Sequence, residues 1–196
     1  MAWGQDMIEV EVKGVSLRLE TAAGLFSPQR ADRGTLAMLS CVDFAPGMKV
    51  LDLGCGCGLV GILAAKQCGE GNVVMCDVDP LAVEIARKNA KGNGVGGVKI
   101  ALSDGFKALD DTGFDLILSN PPYQSDFAVA RSFIEKGFNR LKIGGRLVMV
   151  TKRREWYRNK LIAIFGGVKI REIDGYFVFM AERRRMRYAN RCGFIK

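Results

Sequence analysis

The chain has 196 residues, 48% hydrophobic and 26% charged, the size and balance of one soluble globular domain with a sizeable core. No window approaches the roughly 18 uninterrupted apolar residues of a membrane span, and Met1 to Asp6 lack the basic flank and apolar run of a secretory leader, so a cytoplasmic protein is expected. Six cysteines (41, 55, 57, 68, 76, 192) form no Cys-x-x-Cys pair and histidine is absent, which argues against a disulfide framework and against a metal.

In chain order, Ile8 to Val12 alternates as a strand, Lys13-Gly14 can turn, and Val15 to Glu20 alternates again, predicting a hairpin. With a following helical stretch it makes an appendage over residues 1–48. A βα rhythm then begins: strand Lys49 to Leu53, helix from about Leu59 to Gln67, strand Val73 to Asp77, helix Pro80 to Lys91. Asp79 is a suitable N-cap, Pro80 suits the first helical position and Gly92 reads as a stop. Next come a strand at Val98 to Leu102, a strand at Phe114 to Ser119, a helix from about Phe127 to Leu141 and a strand at Arg146 to Thr151. After a helix near Trp156 to Phe165, the strands Val168 to Ile173 and Tyr176 to Ala181 flank Asp174-Gly175, a strong hairpin dipeptide. Short βα repeats with apolar strands predict an α/β fold, a doubly wound, mostly parallel seven-stranded sheet ending in an antiparallel hairpin. No linker or repeat marks a second domain, so 49–182 is the expected catalytic core and 183–196 a basic tail.

Two segments carry chemistry. Val50 to Gly58 reads Val-Leu-Asp52-Leu-Gly54-Cys-Gly56-Cys-Gly58, an apolar strand running through an acid into three glycines, where the main chain can lie directly against a ligand. Gly56 to Gly61 also satisfies Gly-x-Gly-x-x-Gly with Asp77 21 residues later, so a nicotinamide-dependent oxidoreductase is formally open. Either nucleotide would use Asp77 alike, as the acceptor for ribose hydroxyls at a strand end. No acid or base suited to hydride transfer is evident, and a non-catalytic RNA-binding module is a third reading. Cys55 and Cys57 inside the glycine loop are read as small packing residues, since no neighbour in sequence would lower a thiol pKa.

The second segment is Asn120-Pro121-Pro122-Tyr123, at the carboxyl end of a strand, where open α/β sheets bind ligands. Two prolines fix φ and remove two N–H donors, leaving the Pro121 carbonyl in a stiff turn. With the Asn120 side-chain oxygen it can receive both hydrogens of an exocyclic amine, while Tyr123 offers a flat face for stacking. Two acceptors that favour a tetrahedral nitrogen raise the reactivity of an aromatic amine, and no strong general base is required. The pairing points to methylation of nitrogen by S-adenosylmethionine (SAM).

With Gly24-Leu25-Phe26-Ser27, Asp32-Arg33-Gly34-Thr35, the Asp52-x-Gly-x-Gly-x-Gly58 segment and Ser119-Asn120-Pro121-Pro122-Tyr123, the chain resembles the small-domain class I methyltransferases that make N2-methylguanine in small-subunit ribosomal RNA, over about residues 8–182. The resemblance implies a cofactor set of Asp52, Gly54, Cys55, Gly56, Gly58, Asp77, Val78, Ser103, Asp104 and Asn120, with Phe26 and Thr35 lining the SAM entrance and Ser103-Asp104 near the adenine amino group. It implies Asn120, Pro121, Pro122 and Tyr123 as the catalytic residues. Tyr123 and Lys152, with Arg153 and Arg154 beside it, would face substrate. Adenine N6 of tRNA or DNA is the runner-up target. Glutamine N5 is disfavoured because residues 1–48 are too few and too strand-like for a helical substrate domain.

The chain departs from bacterial members in lacking their extra N-terminal half, and in carrying the run Arg183-Arg184-Arg185-Met186-Arg187-Tyr188 with Asn190-Arg191 as an extension. Residues 1–150 carry 16 Lys+Arg against 17 Asp+Glu, and residues 151–196 carry 13 against 4, so the net charge of +8 is concentrated at one end. Clustered cations favour a polyanionic partner through counterion release. Nucleic acid, in the form of ribosomal RNA or a ribosomal particle, is the expected partner, with Arg183, Arg184 and Arg185 as phosphate contacts or else a disordered solubilising tail.

Overall fold

The computed structural model describes residues 6–22, 31–121 and 127–188. Phe26, Pro122 and Tyr123, and the chain beyond Tyr188, lie outside them. The elements are β1 (Asp6–Val12), β2 (Val15–Thr21), α1 (Arg33–Ser40), β3 (Val50–Leu53), α2 (Leu59–Cys68), β4 (Val73–Asp77), α3 (Pro80–Gly92), β5 (Lys99–Leu102), β6 (Phe114–Ser119), α4 (Ala128–Arg140), β7 (Leu141–Thr151), α5 (Arg154–Phe165), β8 (Lys169–Ile173) and β9 (Tyr176–Glu182).

The seven-stranded sheet has the order β5-β4-β3-β6-β7-β9-β8. Its first five strands are parallel, and β9 pairs antiparallel with both β7 and β8. The order reverses between β3 and β6, which opens a crevice at the carboxyl edge between the loops that follow these two strands. The expected fold class is therefore the one observed. Asp174 and Gly175 take φ of 50° and 75°, as a tight primed turn requires.

Each face of the sheet holds its own core. One is built with α1, α2 and α3 around Leu39, Ile62, Leu63 and Val178; the other with α4 and α5 around Phe138, Leu161 and Phe179. Helix α2 lies flush on the sheet because Gly61 has no side chain, and a Cβ there would come within 2.4 Å of Met75 Cγ. Strands β3, β4 and β6 are buried on both faces, which is why they are apolar apart from Asp52, Asp77, Asp115 and Ser119.

Helix α3 runs one residue past the expected Lys91, taking in Gly92 as its last residue; it is capped by Asn93, whose N–H bonds Asn89 O, and the chain turns off at Gly94, which takes the left-handed φ of 75°. Strand β7 begins at Leu141, five residues before the expected Arg146, with a register shift against β6 between Phe114 and Leu116. Its early start lets Gly144 and Gly145 exchange backbone bonds with Arg183.

The β1–β2 hairpin is a separate two-stranded sheet, yet it is integrated with the core. Two side chains of α3 meet the backbone of β2 as a neighbouring strand would. Asn89 accepts from Glu20 N (2.7 Å) and donates to Glu20 O (2.9 Å); Asn93 accepts from Arg18 N (3.2 Å) and donates to Arg18 O (2.8 Å). Asn89 also donates to Cys57 O at 2.8 Å, so one buried amide joins hairpin, helix and glycine loop.

Candidate active site

At the carboxyl edge lies a cavity of about 330 Å³ lined by the glycine loop, the ends of β4, β5 and β6, α1 and the hairpin. The glycine loop supplies its floor. Gly54 and Gly56 take φ of 80° and 53°, and a Cβ added at either would meet no atom within 4 Å, so bare main chain faces open space. Gly58 is different: its φ is 92° and a Cβ would come 2.8 Å from Met75 Cε, so it serves the packing of α2.

Asp77 stands at the end of β4. One carboxylate oxygen accepts from Gly56 N at 2.9 Å and the other from Asp79 N at 3.0 Å, which fixes the group and leaves a further lone pair on each oxygen. The next residue, Val78, lines the cavity while 66% exposed, an apolar surface suited to a flat ring. Ser103 and Asp104 also line it, but the Ser103 hydroxyl is already occupied, donating to Gly105 O (2.9 Å) and accepting from Ala108 N (3.0 Å). Asp104 pairs with Lys107 at 2.6 Å, and that hydrogen bond holds its carboxyl below the usual range.

Asp52 is the buried acid of the site. It accepts from Gly61 N at 2.8 Å, an orphan donor in the first turn of α2, and is 2% exposed. Burial pushes its pKa up to about 7 against that stabilising bond, with the Asp77 carboxylate raising it further. Burial likewise raises the thiols of Cys55 and Cys57 and pushes Cys76 up to about 12. These thiols are packing groups.

Opposite the glycine loop, Asn120 is held from two sides. Its amide nitrogen donates to Asp32 Oδ1 at 2.7 Å and to Thr35 Oγ1 at 3.0 Å. Asp32 is the N-cap of α1, its carboxylate also accepting from Thr35 N at 2.8 Å. With the NH2 end fixed, the amide can face only one way. Its Oδ1 is buried without a hydrogen-bond partner among the described residues, and Asn120 lines the cavity. An unpartnered buried acceptor is costly, so a persistent one marks a place for a donor.

Pro121 is buried and lines the cavity beside Asn120, and Thr35 lines it too. Lys152, Arg153 and Arg154 leave the end of β7 at the same edge, each over an aromatic ring: Tyr176 at 5.0 Å, Phe127 at 5.0 Å and Phe177 at 5.9 Å. The cations of the tail are elsewhere. Through its bonds with Gly144 and Gly145 at the start of β7, Arg183 lies at the amino edge, and its guanidinium donates to the carbonyls of Asn139 and Leu141 over the Phe138 ring. Arg184 pairs with Glu182 at 3.5 Å and Arg185 is exposed. Tyr188 packs on Phe138 and donates to Glu135 O at 2.9 Å, so Arg183 and Tyr188 are both anchored on α4, while residues 184–187 between them are exposed.

Asp32 belongs to the motif Asp32-Arg33-Gly34-Thr35, but nothing in the sequence signals its bond to Asn120, the role of Asn89, or the stack of Phe127 on Trp156 (centroids 4.2 Å apart, 14° between planes).

A seven-stranded sheet of this order, with a glycine cradle and a strand-end carboxylate at its crevice, defines the class I methyltransferase fold. The chain belongs to the methyltransferase small domain family, which matches residues 16–181. It is 31% identical over 183 residues to a Pseudomonas putida protein named ribosomal RNA small subunit methyltransferase C, covering 91% of this chain and 54% of that one. It is 33% identical over 159 residues to the protein of the same name from Hahella chejuensis, covering 79% and 46%. The chain thus spans about half the length of the curated relatives it matches. Among solved structures it superposes with a TM-score of 0.84 and 26% identity on a Thermus thermophilus 16S rRNA N2 methyltransferase (RsmC) in complex with AdoMet and guanosine, covering 94% of this chain and 52% of that one. TrmN from Thermus thermophilus matches with a TM-score of 0.65 and 26% identity over 75% of this chain and 47% of its own.

Proposed function

We propose that the chain is a SAM-dependent N-methyltransferase acting on an exocyclic amine of a nucleic-acid base, guanine N2 of ribosomal RNA, in the cytoplasm. The observation that carries this reading is the buried Oδ1 of Asn120, without a hydrogen-bond partner among the described residues and aimed by Asp32 and Thr35 into the cavity that the glycine loop floors. The relatives named for ribosomal RNA methylation, and the similar structure solved with guanosine, support guanine over adenine.

The residues present fit the cofactor. Gly54 and Gly56 leave room for close approach, the free lone pairs of Asp77 suit a pair of ribose hydroxyls, Val78 offers apolar surface to adenine, and ionised Asp52 would face a cationic ligand. When bound, SAM supplies an electrophilic methyl group.

The chain's own contribution is to orient and polarise the amine. Asn120 Oδ1 accepts one N–H, and the neighbouring carbonyl of Pro121 is the candidate acceptor for the other. Accepting both bonds weakens delocalisation of the nitrogen lone pair into the ring and favours the tetrahedral geometry it adopts as the new bond forms. Because Asn120 donates to a carboxylate, its amide is polarised toward a more negative oxygen, which strengthens that acceptor cooperatively. The surplus proton leaves to solvent after transfer. Incubation with tritiated SAM and ribosomal RNA, followed by digestion and mass identification of the labelled nucleoside, tests the reading: N2-methylguanosine is expected, and N6-methyladenosine or no labelled nucleoside overturns it.

A further inference from the structure

A column of rings rises from the core to the surface beside the amine site. Phe179, fully buried, stacks on Tyr157 (centroids 5.7 Å apart, 25° between planes). Tyr157 meets Phe127 edge-on at 6.3 Å and Trp156 at 5.2 Å, and Phe127 and Trp156 stack on each other. The column ends on Arg153, whose guanidinium lies over Phe127 and is exposed. Lys152 and Arg154 have other surroundings, Arg154 being paired with Glu155 at 3.1 Å. The Arg153 guanidinium has no carboxylate or hydrogen-bond partner among the described residues; its backbone N–H alone is bonded, to Thr151 Oγ1 at 3.2 Å.

The place matters as much as the contact. Ser119 pairs with Met149 in parallel register, so Thr151 stands level with Pro121, and Arg153 leaves the sheet beside the amine site. Phe127 directly precedes α4 on the segment that returns from that site.

We propose that Arg153, supported by Phe127 and Trp156, is a stacking platform for a second base of the RNA strand, adjacent in sequence to the base presented to Asn120. A guanidinium plane stacks on a base with the same geometry it uses on an aromatic ring, and single-stranded RNA is recognised largely in this way. A cation required only for its charge would gain nothing from a planar support built down to the core. Lysine carries the charge without the plane.

This proposal rests on the RNA-methylating reading, and the test separates the two. Binding of a fluorescein-labelled single-stranded RNA dodecamer of mixed sequence is followed by anisotropy for wild type, Arg153→Lys and Trp156→Leu, alongside a dodecamer of abasic ribose-phosphate, with SAM affinity by calorimetry as the check on folding. Arg153→Lys should bind the mixed RNA about tenfold more weakly, the scale of one lost base stack, with an unchanged salt slope and wild-type affinity for the abasic strand. Trp156→Leu should weaken mixed-RNA binding in the same direction. Equal affinity of Arg153→Lys and wild type for the mixed RNA, or the same loss on the abasic strand, makes Arg153 a phosphate contact and overturns the platform. Failure of the wild type to bind either strand overturns the RNA reading itself.

Discussion

At the scale of single residues, the site depends on Asp32 doing two things with one carboxylate. It caps α1 through Thr35 N and anchors the Asn120 amide. Capping alone can be supplied by a shorter side chain, since serine is as good an N-cap as aspartate, but serine is too short to take over a bond to a side chain 88 positions away. Asp32→Ser should therefore keep the thermal midpoint close to wild type while kcat falls about ten- to hundredfold, the equivalent of a lost charge-assisted hydrogen bond. Asp32→Asn retains an acceptor oxygen and should recover part of that loss. A single-turnover rate for Asp32→Ser equal to wild type would reduce Asp32 to a helix cap.

At the scale of elements, the hairpin has more to do than its position in the chain suggests. Ile8 and Leu19 line the cavity, and what keeps them there is the bonding of β2 to Asn89 and Asn93. Asn89→Ala would leave Glu20 N–H, Glu20 C=O and Cys57 C=O without their partner. At about 1 kcal/mol or more for each, the expected cost is roughly 3 kcal/mol, or about 6 to 12 °C in the melting temperature of a domain of this size. SAM affinity should weaken severalfold in the same variant, because Cys57 belongs to the loop that floors the cavity. A melting temperature within 2 °C of wild type would show the amide bridge to be redundant.

The same elements show what could be read from sequence and what could not. The glycine loop, Asp77 and Asn120 were legible because each sits at a strand end that hydrophobic patterning locates, and because their spacing is local. The βα order and the Asp174-Gly175 turn were legible for the same reason. The partners of Asn120 and Asn89 were not. Both are polar residues whose meaning depends on contacts 32 to 88 positions away, and neither period nor propensity carries that information. Asn89 and Asn93, four apart on α3, read as an ordinary polar stripe of an amphipathic helix. Arg183 reads as a phosphate contact in the sequence, and its guanidinium donates in the fold to a carbonyl of the last turn of α4 and to the first of β7.

At the scale of the whole molecule, Asp52 couples folding, protonation and the ligand. Its carboxyl titrates at about 7 in the folded chain against 3.8 when unfolded, so between those values the folded state holds a proton that the unfolded state has released. Stability must then fall as pH rises through that window, since ∂ΔG/∂pH is negative where the folded state binds more protons. The effect is complete near pH 7, amounts to a few kcal/mol and is opposite in sign to that of the ion-paired Asp104, Asp111 and Asp115. Their lowered carboxyls lose stability only as pH drops toward and below the ordinary carboxylate range. Urea unfolding of the ligand-free protein at pH 5, 6 and 7 should show the decline, and Asp52→Asn should remove it. A cationic sulfonium in the cavity favours ionised Asp52, so SAM should bind more tightly as pH rises from 6 to 7, by up to about tenfold, with release of a proton. That gain, too, should vanish in Asp52→Asn, which separates it from titration of the ligand's own amine. A wild-type stability curve that stays level or rises from pH 5 to 7 would mean that Asp52 is ionised throughout, held by more than the single amide of Gly61.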